Sequence, residues 1–387
     1  ELNTISVSNI SLDDGYFDVW NNFYINYFTL GTGAGCTDPL AANYDEQAFG
    51  DNGTCEYVIS LSYGNNLISF PGTPNPNTTQ ELLETITEQD PECTANFILG
   101  QGLGLFNTAD GWSGNLNDII VNSGYWLNVD CEINWLVNIP KRVKDNECLQ
   151  YPLAFGNNLV SYNGVDGDAT LSALGGEANA TSDFTFILGQ GQGLFNTEGG
   201  WSGNLNNLNR NKGYWLNVTS TMQFAWGEDC QEQLVTLAKE TTTPEKIFDV
   251  LQSTEQAFYL IKDLEVIGMY PQEGDWILAY RGDELIGSAE YEEGNTTLAV
   301  MGKDITEGTE HFPRDGEPIT LKIFNHKTMG LHDLNGEIPA WTSLGVNILD
   351  KREGSSIIIP DNFVLEQPYP NPFNPTTTVK FGLPHDT

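Results

Sequence analysis

Apolar and polar residues alternate along most of this chain in short runs. Examples are ISVSNISL, ANFILG, GYWLNV, QAFYLIK and EPITLKIFNH, each closed by Gly, Asn, Asp or Pro. Alternation with a period of two buries one face of a strand, and those closing residues supply turn conformations. The pattern therefore predicts a mainly β fold. Helical spacing interrupts it at Thr79–Gln89, where Leu82, Leu83 and Ile86 fall on one face, and more briefly at Asp168–Leu174.

Two stretches repeat each other. Phe97–Val129 and Phe186–Val218 share FILGQG, GLFNT, GWSGNLN and GYWLNV at one constant offset, and a matching strand precedes each, GNNLISF at Gly64–Phe70 and GNNLVSY at Gly156–Tyr162. A duplicated unit of about 90 residues means tandem modules, each a small β-rich unit with one helical excursion. The chain divides accordingly: an N-terminal strand pair (1–34), a disulfide loop (35–58), repeat 1 (59–147), repeat 2 (148–232), a third domain (233–362) and a C-terminal segment (363–387). The third domain carries about seven strand-like runs between Gly, Asp and Pro clusters, the pattern of an immunoglobulin-like β-sandwich.

The terminal segments each hold an unaccompanied strand signal. At the start, ISVSNISL and YFDVW flank the turn Asp13-Asp14-Gly15. At the end, TTTVKFGL follows YPNPFNP, whose prolines forbid helix. Strands without partners are suited to completing a neighbour's sheet, so Thr376, Val379 and Phe381 are assembly candidates and copies of the chain are expected partners, head to tail, alongside other surface proteins.

Charge narrows the function. With 53 acidic and 16 basic residues, a net charge of −37 disfavours nucleic acid and anionic membrane surfaces. No apolar run is long enough to span a bilayer. The chain begins at Glu1 without a signal-like segment, which reads as a mature secreted chain or a fragment.

Six cysteines, none in a C-x-x-C pair, argue for disulfides over zinc or redox chemistry. In the repeat alignment Cys93 falls opposite Ser182 and Cys131 opposite Ser220, so both are absent together from the second copy, as a bonded pair would be. Cys36 and Cys55 close a short loop, and Cys148 and Cys230 bracket repeat 2. The expected bridges are 36–55, 93–131 and 148–230, and they place the protein in an oxidising, extracytoplasmic compartment.

Candidate chemistry is sparse. Asp38, Asn43, Asp45, Asp51 and Asn52 crowd the Cys36–Cys55 loop with oxygen donors, which either hold a calcium ion or cap the loop's own turns. Trp112, Tyr125, Trp126 and their counterparts Trp201, Tyr214, Trp215 are either glycan-stacking rings or module cores, the latter being the weightier reading. Asn9, Asn52, Asn77, Asn179, Asn217 and Asn295 head glycosylation sequons. Gly100-x-Gly102-x-Gly104 lacks the GK[ST] of a phosphate loop. The repeated GWSG has Asn where a nucleophile elbow needs Gly. The histidines at 311, 326, 332 and 385 have no metal-ligand spacing. No enzymatic constellation emerges.

Several of these stretches resemble known modules. LEQPYPNPFNPTTTVKFGLP, Leu365–Pro384, resembles the opening of the C-terminal sorting domain of type IX secretion cargo, an Ig-like module of the Bacteroidota and related marine lineages. GCTDPLAANYDEQAFGDNGTCEY, Gly35–Tyr57, resembles a disulfide-loop repeat of large surface proteins from the same organisms. GDWILAYRGDELIG, Gly274–Gly287, is similar to a sandwich module of those proteins with a GDWIGAFxGD core, and the duplicated units resemble their modules. ISVSNISLDDGYFDV resembles a cohesin-like strand pair. The resemblance implies an exported surface protein and no reaction, and the unaccompanied strands at both ends point further, to a non-catalytic filament subunit or adhesin assembled by strand addition. The competing expectation is a carbohydrate-binding accessory region of a secreted hydrolase.

Overall fold

A computed structural model describes residues 33–144, 147–234, 247–262, 271–334, 336–349, 364–365 and 381–382. The expected N-terminal hairpin, Asn9, Thr376 and Val379 lie outside these residues. The fold is mainly β, built of several sheets whose strands pair almost entirely antiparallel.

The Cys36–Cys55 loop folds as irregular turns and packs Cys36, Ala41, Cys55 and Tyr57 into the core of repeat 1. In repeat 1, β1 (Glu56–Leu61) pairs antiparallel with β7 (Ile133–Asn138). Between them lie β2 (Gly64–Ser69), helix α1 (Thr79–Gln89), β3 (Ala95–Leu99), β4 (Gly104–Thr108), β5 (Gly111–Gly114) and β6 (Gly124–Val129). The inner strands form a five-stranded sheet in the order β2-β6-β3-β4-β5. α1 buries the face read from the sequence, Leu82, Leu83 and Ile86, together with Thr79. The Thr78 hydroxyl at its N-cap donates to the Glu81 carboxylate at 2.6 Å, a sequence spacing typical of helix starts. Trp135 on β7 donates its indole N–H to Thr85 Oγ1 at 2.8 Å, which ties the outer sheet to the helix. Phe70 lies edge-on to both Trp135 and Tyr125, with ring centres 6.0 Å apart in each pair.

Repeat 2 keeps this plan and changes the excursion. Its elements are β8 (Tyr151–Leu153), β9 (Gly156–Ser161), β10 (Asp168–Ala169), α2 (Thr170–Ala173), α3 (Glu177–Asp183), β11 (Phe184–Gly189), β12 (Gln192–Thr197), β13 (Gly200–Gly203), β14 (Asn207–Leu208), β15 (Gly213–Val218), β16 (Met222–Phe224) and α4 (Glu228–Leu234). The sheet order β9-β15-β11-β12-β13 copies that of repeat 1. The expected turn at Asp168–Leu174 contains α2, whereas α3 and α4 have no apolar periodicity and were not expected; of α3 only Ala180 is buried.

The third domain comprises β17 (Gln256–Lys262), β18 (Trp276–Arg281), β19 (Glu284–Glu290), β20 (Asn295–Met301), β21 (Thr320–Asn325), β22 (Gly330–Asp333) and β23 (Val346–Leu349). Six of its strands follow the expected runs, and β22 lies outside them. All seven are hydrogen-bonded continuously as β22-β21-β18-β19-β20-β17-β23 rather than as two separate sheets. β19 meets β20 at a single pair, Gly287–Val300, where a β-carbon on Gly287 would come within 2.6 Å of Ala299 O. Ile277, Ala279 and Ile286 of β18 and β19 share one core with Ala257, Tyr259 and Leu298 of β17 and β20. β17 and β23 are parallel. Finally β24 (Val364–Leu365) pairs with β25 (Phe381–Gly382). Phe381, read from the sequence as part of an unpartnered strand, therefore has Leu365 of its own chain as its partner.

The three disulfides are those expected, Cys36–Cys55, Cys93–Cys131 and Cys148–Cys230, with no free cysteine. No helix among the described residues is long and apolar enough to cross a membrane.

Candidate functional site: the junction of the two repeats

The edge strands β2 and β9 both run along the boundary between the repeats, and the glycine-rich phrase of each repeat reaches across it. In repeat 1 the turn between β3 and β4 carries Gln101, and the turn is tight because Gly102 takes φ +72°. The Gln101 side chain accepts the Leu159 N–H at 2.9 Å and donates to Asn157 O at 2.9 Å. In repeat 2 the equivalent turn has Gly191 at φ +71°, and Gln190 accepts the Leu67 N–H at 2.9 Å and donates to Asn65 O at 2.8 Å. Each primary amide thus takes the place of one peptide group of a neighbouring strand. It satisfies an N–H and a C=O that an edge strand would otherwise present.

The reciprocity extends through the contact. Ser69 N donates to Asn211 O and Ser161 N to Asn122 O, at 3.1 and 3.2 Å. Leu67 and Leu159 pack with Trp215 in a small core of their own, flanked by Trp126 and Leu188. Gly124 and Gly213 face each other at the centre. The arrangement is a two-fold one within a single chain, because each repeat contributes both the clamp and the clamped strand.

The third domain docks on this pair. Phe258 lies 5.7 Å from Phe106 between ring centres, Lys262 pairs with Asp110 at 3.1 Å, and Gln256 donates to Gly100 O at 3.4 Å. On the other side the buried Asn157 amide donates to Gln252 O at 2.8 Å and Thr306 Oγ1 at 2.9 Å. Asn157 in turn accepts from Asn217 at 2.8 Å, as Asn65 does from Asn128 at 2.6 Å in repeat 1.

The aromatic candidates fall into cores rather than onto one exposed face. Tyr125, Tyr214 and Trp215 are buried, and Trp126 is half-buried at the junction. The Tyr125 and Tyr214 hydroxyls accept the backbone N–H groups of Ile120 and Asn209, at 2.7 and 2.9 Å, and burial raises both above the ordinary tyrosine value. Trp112 and Trp201 are half-buried against the cores of their own repeats.

The oxygen donors of the Cys36–Cys55 loop are turned onto the loop itself. Asp38 Oδ1 accepts Leu40 N at 3.0 Å, Asp45 Oδ1 accepts Gln47 N at 2.9 Å, and Asp51 Oδ1 accepts Gly53 N at 2.9 Å. Asn43 accepts Glu56 N, and Asn52 accepts Thr54 N. Asp38 Oδ2 binds Arg142 at 2.7 Å and the Tyr57 hydroxyl at 2.8 Å. Burial opposes ionisation of Asp38, but these bonds outweigh it and hold the carboxyl below the usual range. Burial and the same hydrogen bond push Tyr57 upward. The three aspartates do not converge on one point; among the described residues the only close grouping of metal-ligating types is Cys93, Asp130 and Cys131. Its sulfurs are bonded to each other and offer no thiolate.

Of the sequons, Asn52, Asn77, Asn179 and Asn295 are exposed. Asn217 is buried at the junction and hydrogen-bonded on both amide atoms, so the folded chain does not offer it for modification. Sequence reasoning missed Gln101 and Gln190. The available signal was a polar residue kept at the same place in both glycine-rich turns. Comparison with protein-family models, curated proteins and solved structures finds no match to this chain.

Proposed function

We propose that the chain is a non-catalytic structural unit of an exported surface protein, serving as the building block of an extracellular filament or adhesin. The observation that carries this reading is the repeat junction. A duplicated module is locked to itself by reciprocal amide clamps, and the third domain is fastened across both copies by Phe258, Gln256 and Asn157. Such an arrangement transmits position rather than enclosing a substrate. Three disulfides support an oxidising extracellular setting. The sorting-domain resemblance of Leu365–Pro384 supports export by the type IX route.

The clamps restrict where assembly by strand addition occurs. β2 and β9 are occupied along the junction, so strand addition by a neighbouring copy falls to edges outside it: β5 and β13 of the repeat sheets, or β22 and β23 of the seven-stranded sheet. Electron microscopy of the purified chain over a concentration series tests the proposal. Ordered linear particles support it, and monodisperse monomers at every concentration overturn it.

A further inference from the structure

The repeat pair is two-fold, but the third domain is single and treats the two sheets differently. On repeat 1 it covers Leu99 and Phe106, which are 0% and 1% exposed. Their equivalents on repeat 2, Leu188 and Phe195, are only half-buried and form one wall of an open cleft of about 470 Å³. Third-domain residues form the opposite wall. Junctions between domains are where ligand clefts concentrate.

The charged groups of this cleft divide into committed and uncommitted. Asp304 is saturated: its Oδ2 accepts from Thr254 N at 2.7 Å, Thr254 Oγ1 at 3.0 Å and Asn157 Nδ2 at 3.2 Å, and its Oδ1 from Thr306 N at 2.7 Å and Thr309 Oγ1 at 3.0 Å. Asp315 Oδ1 accepts Ser343 N at 2.8 Å, and Glu255 Oε2 accepts the Ser343 hydroxyl. The cations are different. Lys303 N donates to Pro313 O at 2.8 Å, which sets Lys303 and Arg314 on adjacent segments. Among the described residues neither side chain has a salt bridge or hydrogen bond. The Arg314 backbone N–H donates to Glu317 Oε2 at 2.8 Å, whereas its guanidinium acts on that carboxylate only through space, and the carboxylate is already held by Arg281 at 2.9 Å. In a chain with 53 acidic and 16 basic residues, two cations whose side chains make no hydrogen bond or salt bridge line the same cleft as the Phe195 ring.

A carboxylate carried on a hydroxylated ring fits every wall. Its carboxylate meets the Arg314 guanidinium in a charge-assisted bond with Lys303 beside it. Its apolar C–H face lies on the half-exposed Phe195 ring. The second oxygens of Glu255 and Asp315 accept its hydroxyls. We propose that this cleft binds an acidic sugar, a uronate unit of an anionic polysaccharide. The inference goes beyond the structural role proposed above and stands on different residues.

Isothermal titration of the full chain with trigalacturonate at about 0.15 M salt, where screening acts over about 8 Å, tests it. The expected result is saturable binding that weakens about tenfold or more in Arg314→Gln and in Lys303→Gln, a loss of about 1.4 kcal/mol. Lys322→Gln, at the Asp333 salt bridge, leaves binding unchanged. Arg314 is exposed, so an unaltered melting temperature confirms that its variant folds. Absence of saturable binding, equal affinity for neutral maltotriose, or indifference to Arg314→Gln overturns the proposal. Equal affinity for triglutamate overturns the sugar assignment.

Discussion

Gly124 and Gly213 face each other so closely across the repeat junction that a β-carbon on Gly124 would lie 3.2 Å from Gly213 Cα and 2.8 Å from Val160 O. The reverse substitution meets the same obstacle, 3.3 Å from Gly124 Cα and 2.8 Å from Ile68 O. Both obstacles are backbone, so neither moves aside cheaply. Gly124→Ala and Gly213→Ala are each expected to destabilise the chain by about 1–3 kcal/mol in urea unfolding. Gly199→Ala, whose new β-carbon meets nothing nearer than Thr197 Oγ1 at 3.8 Å, is the control and stays within about 0.5 kcal/mol. Equal stability of all three variants would remove the close glycine contact from the account of the junction.

The amide clamps predict a local signature. Gln101→Ala leaves Leu159 N and Asn157 O without their partner, at a cost of about 1–3 kcal/mol. Amide hydrogen exchange accelerates at Leu159 while Leu67, held by Gln190, keeps its protection. Gln190→Ala gives the mirror result. Gln→Glu at either position retains an acceptor and loses the donor, so it does not restore stability. Uniform acceleration at both leucines in both variants would mean that the clamps do not act separately.

The residues that were legible in the sequence are those whose partners are near or repeated. Leu82, Leu83 and Ile86 share a helical face by spacing alone, and alternation placed the strands. Cys93–Cys131 was legible because the second copy lacks both members. The Gln101 partner Leu159 lies 58 residues away and depends on how two folded modules meet, which no local pattern encodes. The loop aspartates read as caps first and as ligands second, and the choice stays open because an oxygen that accepts a backbone N–H two residues ahead has the same sequence signature as one that holds an ion. The single β19–β20 pair at Gly287 and the parallel β23 are properties of strand order, which periodicity leaves open.

Tyr151 sets an alkaline limit. It is 1% exposed, packs against Phe224 and Trp226, and burial pushes its hydroxyl up to about 12. A folded value above the unfolded one, about 10, means that the contribution is complete below pH 10 and is lost as pH rises toward 12. Its size is on the order of 2–3 kcal/mol. Stability measured by denaturant between pH 9 and pH 12 should fall, and Tyr151→Phe should flatten part of that fall. An identical slope in the variant would assign the alkaline limb to other groups.

Asp275 sets the acid limit. It is fully buried, and its Oδ1 accepts the His326 backbone N–H at 3.0 Å and lies 2.7 Å from His326 Nδ1. Its Oδ2 accepts Gln272 N at 2.9 Å. Burial alone would raise this carboxyl, but the three contacts outweigh it and leave it below its ordinary 3.8. A depressed folded value gives stability that is complete above the unfolded value and lost as pH falls below it. Asp275→Asn keeps the side chain's shape and one acceptor but not the charge. It is expected to be less stable than the parent at pH 7, with the gap narrowing as pH falls below 3.8. Urea midpoints of both chains from pH 2 to pH 7 measure this. Near-ultraviolet dichroism of the buried Trp341, whose indole N–H donates to Val300 O at 3.0 Å, checks that the variant keeps its fold at neutral pH. A gap that is constant across the acid range would show that Asp275 contributes through packing rather than through its charge.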